Sequence, residues 1–311
     1  VPPPPAKVHK RDREWRGIRI QGTSIFFEGK KKTLLRGWLF EPYRSQKRLV
    51  FYLHDFSRDH RDGYALVRLM LKHGLSIFVY DQRAHGISGG RLGQNPQDLA
   101  QDLRAARRYL FQLYPKRWQS KTAIIGEGLG GSVGLLTAAI QRDFRIVIAV
   151  SPFLDFKEHL EMKLQRYPQW LVDLTIKRVK RVAKLNYRDS SPYRQSRHLR
   201  HSKLFLLAAR GSSQKTVYDD FCRSLRSTCQ TTTLPVKETA FWWHNLPSYQ
   251  KDLLVAFLLK ELYLPRHLYK RVLIRIRDHE KKLRKILSQT KPLTKPKLRP
   301  KVTKTAKPKL R

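Results

Sequence analysis

The sequence predicts an α/β fold: a mostly parallel central sheet with helices on both faces. Three observations carry this. Short β-branched and aromatic runs alternate with stretches of helical periodicity from Gly17 onward. The runs are apolar throughout, as in Ser76–Tyr80 (SIFVY) and Arg145–Val150 (RIVIAV), which marks strands buried on both faces. Hydrophobic residues make up 41% of 311 positions, enough for a sizeable core.

The elements follow in order. Residues 1–16 open with Pro2 to Pro5, turn basic and read as an extended arm. A domain is expected over 17–264. Ile18–Phe27 and Thr33–Phe40 read as two antiparallel strands, and Arg48–His54 as a third that ends at a turn. Tyr64–His73 reads as a helix and Ser76–Tyr80 as a strand. Gln97–Tyr114 is an amphipathic helix, with Leu99, Leu103, Ala106 and Leu110 at helical spacing. Thr122–Ile125, Gly131–Gln141 and Arg145–Val150 continue as strand, helix, strand. Residues 154–200 break the alternation and read as a helical cap inserted above the sheet. Leu204–Ala209, Val217–Ser227, Thr231–Lys237 and Leu246–Leu262 resume it, and Pro265 stops the last helix.

A basic helix is expected at 265–288, with Leu268, Val272, Ile276, Leu283 and Leu287 as a narrow apolar stripe for the protein's own body or a neighbour. Residues 289–311 repeat Lys-Pro and Lys-Leu elements and read as an extended tail that reaches roughly 75 Å when stretched. Cys222 and Cys229 are read as free thiols on one helix, which suits a reducing compartment. No apolar run is long enough to span a bilayer, and no metal-ligand spacing appears.

Charge narrows the function classes. The chain carries 65 Lys and Arg against 24 Asp and Glu, a net +41. Residues 266–311 hold eighteen of these cations against two acids, and +25 remains on residues 1–265. Such self-repulsion favours a polyanionic partner.

Several motifs stand in one order. They are FYLHDF at 51–56, VYDQRAHGISGG at 79–90, IIGEGLGGSVGL at 124–135, SPFLDF at 151–156, LLAARGSSQ at 206–214 and WWHNLP at 242–247. Over residues 18–263 this set resembles the α/β-hydrolase superfamily, in its serine-aminopeptidase-like and monoacylglycerol-lipase-like branch. The resemblance implies a nucleophile elbow at 126–130, an acid at 214 and a catalytic histidine at 244. The elbow pattern G-x-S-x-G is here Gly126-Glu127-Gly128-Leu129-Gly130, so the nucleophile position is Gly128, which has no side chain. Ser132 lies a helical turn too far on. The acid position holds Gln214, which cannot stabilise an imidazolium as a carboxylate does. Asp219 and Asp220 read as charges near a helix N-terminus. His244 remains, preceded by Trp242 and Trp243. In the oxyanion region, beside Leu129, Asp55 stands where the family has glycine, and its charge opposes a developing oxyanion. His54 and His85 read as turn-stabilising residues. An inactive hydrolase fold is therefore expected, with no cofactor and no small-molecule substrate. Gly126, Gly128 and Gly131 also spell G-x-G-x-x-G, but Glu127 would face a pyrophosphate and no ribose-binding acid ends the next strand, so a dinucleotide site is set aside.

The basic runs require a partner. Candidate RNA contacts are Lys177, Arg178, Lys180, Arg181 and Lys184 in the cap, with Lys30–Lys32 as a further run. The C-terminal helix adds Arg271, Arg275, Lys281, Lys282, Arg284 and Lys285. The tail adds Lys291, Lys295, Lys297, Arg299, Lys301, Lys304, Lys307, Lys309 and Arg311. A compact domain with a Lys/Pro tail resembles ribosomal proteins, in particular those of a mitochondrial ribosome. The expected partners are rRNA and neighbouring ribosomal proteins, and the expected place is the mitochondrial matrix. Two alternatives stand beside this: a basic accessory subunit of another organellar complex, and a membrane-peripheral serine-hydrolase relative with residual lipase or esterase activity.

Overall fold

The computed structural model describes residues 14–15, 18–19 and 22–289, apart from 57, 92–94, 120, 210–213, 226–227, 234–247 and 263–269. The proline-rich start, residues 234–237 of the expected strand, Leu268, Trp242, Trp243, His244 and the tail lie outside the described residues.

Ten strands are described. Glu14–Trp15 (β1) and Ile18–Arg19 (β2) form a small antiparallel ladder of their own. The remaining eight make one sheet: Gly22–Glu28 (β3), Leu34–Phe40 (β4), Leu49–Leu53 (β5), Ser76–Tyr80 (β6), Thr122–Glu127 (β7), Phe144–Val150 (β8), Lys203–Ala208 (β9) and Cys229–Thr233 (β10). Their spatial order is β10-β9-β8-β7-β5-β6-β4-β3. The pairs β3/β4 and β4/β6 are antiparallel, and the others are parallel. The expected strand Ile18–Phe27 is thus divided: only its second half pairs with β4 in the main sheet.

Helices cover both faces, as the unbroken apolar strands require. Within β5, Leu49, Phe51 and Leu53 enter one core and Val50 and Tyr52 the other, because successive side chains leave opposite faces of a strand. The first core is closed by Pro96–Leu113 (α2), Leu129–Ile140 (α3) and Gln214–Ser224 (α6). Leu99, Leu103, Ala106 and Leu110 of α2 are buried there, as their spacing predicts. The second core is closed by Tyr64–Lys72 (α1), Ser248–Glu261 (α7) and Lys270–Gln289 (α8). Phe156–Leu164 (α4) and Gln169–Val182 (α5) form the cap.

The described part of the α8 stripe, Val272 and Ile276, packs on this protein's own body. Val272 and Ile276 are buried in the second core, Arg275 forms a two-pronged ion pair with Asp252 of α7 (2.7 and 2.5 Å), and Tyr249 stacks on His279. Cys222 and Cys229 are not free thiols. Cys222 lies on α6 and Cys229 opens β10, with their Cα atoms 5.0 Å apart and joined by a disulfide. The expectation of one continuous helix through both residues fails because α6 ends at Ser224.

Candidate active site and basic surface

The sheet reverses its strand order beside β5: β6 lies on one side and β7 on the other. In an open α/β sheet a crevice forms at the carboxyl ends of such strands. His54 and Asp55 follow β5, and Gly128 follows β7, so the chain places the candidate residues in that crevice.

The elbow geometry is intact. Gly128 has φ 45° and ψ −111°, donates its N–H to the Val150 carbonyl at 2.8 Å, and leads directly into α3. Positive φ favours glycine, and space here demands it as well. A Cβ at position 128 would lie 2.0 Å from Asp55 Oδ1 and 2.3 Å from its Cγ. The carboxylate of Asp55 thus fills the volume where a nucleophile side chain would start. Its Oδ1 accepts the Leu129 N–H at 2.8 Å and the Phe56 N–H at 2.7 Å. One of these amides follows the elbow residue and the other lies in the loop after β5, the pair that serves an oxyanion in this type of site. The expected opposition between Asp55 and an oxyanion acquires a geometry: the side chain has taken both donors. Sequence reasoning placed Asp55 near the site but missed this match, although a small-to-large change at 55 beside glycine at 128 was the available signal.

Ser132 is no substitute nucleophile. Its Oγ donates to the Phe153 carbonyl at 2.8 Å and lies 3.1 Å from the Gly128 carbonyl. Gln214 opens α6 and borders the same cavity as Gly128 and Asp55, with Tyr218 Oη donating to its Oε1 at 3.3 Å. Asp219 and Asp220 lie in the middle of α6 rather than near its N-terminus. Lys215 and Thr231 hold Asp219 at 2.5 Å each and keep its carboxyl below the usual range, and Arg223 pairs with Asp220. Glu127 is buried against Tyr52 Oη at 2.8 Å, facing away from any phosphate-binding role.

Behind the elbow, the DQRAHG turn builds a polar frame in which Asp81, Gln82, Arg83 and His85 are buried. Asp81 accepts from the His60 N–H (2.8 Å), from His60 Nδ1 (2.7 Å) and from the Ile87 N–H (3.0 Å). Gly86, at φ 51°, has no room for a Cβ, which would meet Asp81 Oδ2 at 2.1 Å. Arg83 clasps Asp102 of α2 with two bonds of 2.6 and 2.5 Å and donates to the Lys30 carbonyl at 2.8 Å. His54 Nε2 accepts the Gln82 N–H at 2.9 Å, and Nδ1 reaches the Asp55 carbonyl at 2.7 Å. Burial pushes the His54 pKa down to about 4, so the ring is neutral. His85 Nδ1 reaches the Arg83 carbonyl at 3.0 Å. Both histidines brace the turn, as read from the sequence. Asp59, His60 and Asp81 gather three ligand-type atoms within 4.8 Å of one another. Hydrogen bonds account for the gathering: Asp59 holds Arg61 and caps the turn that begins at His60.

On the surface, Lys177, Arg178, Lys180, Arg181 and Lys184 are all exposed along α5 and its end. Trp170 (68% exposed), Leu174 and Val182 share that outer side. On α8, Lys281 and Lys282 are exposed, whereas Arg275 is occupied by Asp252 and is a poorer candidate contact than its charge suggests. Only the backbone of Arg271, Arg284 and Lys285 is described, and the candidates from Lys291 to Arg311 lie outside the described residues. Of the Lys30–Lys32 run, Lys31 pairs with Asp98 at 2.9 Å. No helix among the described residues is long and apolar enough to cross a membrane.

Sheet order, elbow and cap define an α/β-hydrolase fold. A family model for the S33 serine aminopeptidases matches residues 44–226, more than half of the chain, and the chain belongs to that family. Similar solved structures include an esterase from Pyrococcus furiosus, 19% identical with a TM-score of 0.61, which covers 84% of this chain and 99% of that one. An acylaminoacyl peptidase from Pyrococcus horikoshii is 16% identical with a TM-score of 0.60 over 82% of this chain and 44% of its own. Est1E from Butyrivibrio proteoclasticus is 14% identical with a TM-score of 0.56 over 78% and 99%. At these identities the likeness shows the fold. Among curated proteins, none matches the chain.

Proposed function

We propose that this protein is a non-hydrolysing member of its family whose basic surface binds structural RNA, as an rRNA-binding component of a mitochondrial ribosome. The observation that carries the loss of hydrolysis is Asp55. Acyl transfer needs a nucleophile at the elbow and free amide donors for the oxyanion. Position 128 offers no side chain, and the carboxylate of Asp55 occupies both the space and the two amides. An oxyanion about 4 Å from that carboxylate would be opposed by about 4 kcal/mol at an effective dielectric of 20.

The RNA reading rests on charge and its placement. A net +41 calls for a polyanion, and the five cap cations from Lys177 to Lys184 are exposed, with no ion pair among the described residues. Backbone phosphates, rather than base edges, suit such a surface. The Cys222–Cys229 disulfide withdraws the free-thiol argument for a reducing compartment, so the matrix assignment rests on the ribosomal reading alone.

Density-gradient sedimentation of the native protein, with and without RNase, tests the proposal. Co-migration with a ribosomal subunit that collapses after RNase supports it. Migration as a free monomer in both samples overturns it, and RNase-resistant assembly favours an accessory subunit of another complex. The family match and exposed Trp170 beside cap cations favour a second reading, a membrane-peripheral hydrolase. Labelling by a fluorophosphonate would support it; the proposal expects none.

A further inference from the structure

Between the elbow and the cap lies a cavity of about 630 Å³. Leu99, Leu129, Phe153 and Leu185 are among its apolar walls. Three of its lining residues each carry a buried polar atom with no hydrogen-bond partner among the described residues: His85 Nε2, His159 Nδ1 and Ser151 Oγ. His85 itself is nine-tenths buried. An unmatched buried polar atom costs about 1–3 kcal/mol, so three around one cavity point to an occupant that satisfies them.

The chemistry of the set selects the occupant. His85 Nδ1 faces the Arg83 carbonyl, so it carries the proton and leaves Nε2 as an acceptor. Ser151 adds a hydroxyl oxygen, held at φ 46° by a backbone that gives its N–H to Leu207. Asp55 uses Oδ1 for the two amides, and no described residue donates to Oδ2. The cavity is therefore rich in acceptors and carries a negative charge beside the elbow. It calls for a head that donates several hydrogen bonds and is positive. A primary ammonium does both, and Phe56, Phe153 and Phe156 are among the aromatic residues that line the cavity. Leu129, Leu160 and Val179 suit an apolar body. The cations in the lining do not cancel this: Arg83 is bound to Asp102, while Arg91 and Lys163 are exposed, where solvent and salt screen them.

We propose that this cavity binds a small amphiphile headed by a primary ammonium group, paired with Asp55 and bonded to His85 and Ser151. The substitution that blocks an acyl oxyanion turns the site toward the opposite charge. The proposal does not depend on RNA binding.

Calorimetric titration of the full chain with octylamine, 1-octanol and octanoate tests it. Octylamine is expected to bind one to one, at least tenfold tighter than octanol. Asp55→Asn should cost octylamine at least tenfold and leave octanol unchanged. Val179→Trp, which fills the cavity, should abolish both, and this separates cavity binding from adsorption to the basic surface. Absence of saturable octylamine binding overturns the proposal. So does octanoate binding tighter than octylamine in a manner lost in Val179→Trp, or unchanged octylamine affinity in a folded Asp55→Asn. The ranking of the three probes on the unmodified chain decides even if a variant fails to fold.

Discussion

The floor of the cavity and the polar frame behind it stand a few residues apart and have fared differently. The frame of Asp81, Arg83, His54 and Asp102 is buried and densely hydrogen-bonded. The floor, at Asp55 and Gly128, pairs a carboxylate with a glycine at the elbow. The physical reason is what each region contributes to folding. A buried charge left without its partner destabilises the whole domain. An elbow nucleophile contributes no such stability, and its positive φ costs a non-glycine residue about 1–3 kcal/mol. If hydrolysis is lost as proposed, the floor is free to relax while the frame is not.

Substitutions in each region test the contrast. Arg83→Ala leaves Asp102 buried and unpaired and should cost about 3–5 kcal/mol in urea unfolding; a loss below about 1 kcal/mol would remove the frame's special status. Acid probes the frame next. The folded pKa of His54, about 4, lies below its ordinary value, so the neutral ring stabilises the fold fully above about pH 6.5. That contribution, about 3 kcal/mol, should be lost as pH falls from 6.5 towards 4, and His54→Gln should flatten this part of the stability–pH curve.

The floor should respond less, and in a coupled way. Gly128→Ser is expected to cost about 2 kcal/mol through positive φ and collision with Asp55. Adding Asp55→Gly should recover about 1–3 kcal/mol of coupling energy in a double-mutant cycle, and additive losses would mean that Asp55 does not fill the position. The smallest effect sets the scale for surface charge. Arg275→Ala, at an exposed pair with Asp252, should change stability by less than about 1 kcal/mol by thermal unfolding.

Much of the fold was legible in the sequence because buried strands write it as continuous apolar runs. Ser76–Tyr80 matches its expected strand residue for residue, and α2 lies within two residues of its expected bounds. Boundaries slipped where local pattern was weak, as at β10, which starts two residues early with Cys229. The disulfide was missed because a seven-residue spacing on a supposed helix hides the end of α6 at Ser224.

At the site, sequence alone determined that the elbow survives and that no side chain can attack from position 128. It also determined the charge, which is a sum over residues and needs no coordinates. What fills the elbow is set by the tertiary packing. Asp55 and Leu129 are 74 residues apart, and just the parallel pairing of β5 with β7 brings a carboxylate onto the elbow amides. The same holds for α8, whose apolar stripe was visible but whose docking on α7 was not. A local pattern records which groups a segment must bury or bond, whereas the partner that satisfies them is chosen by how distant segments pack.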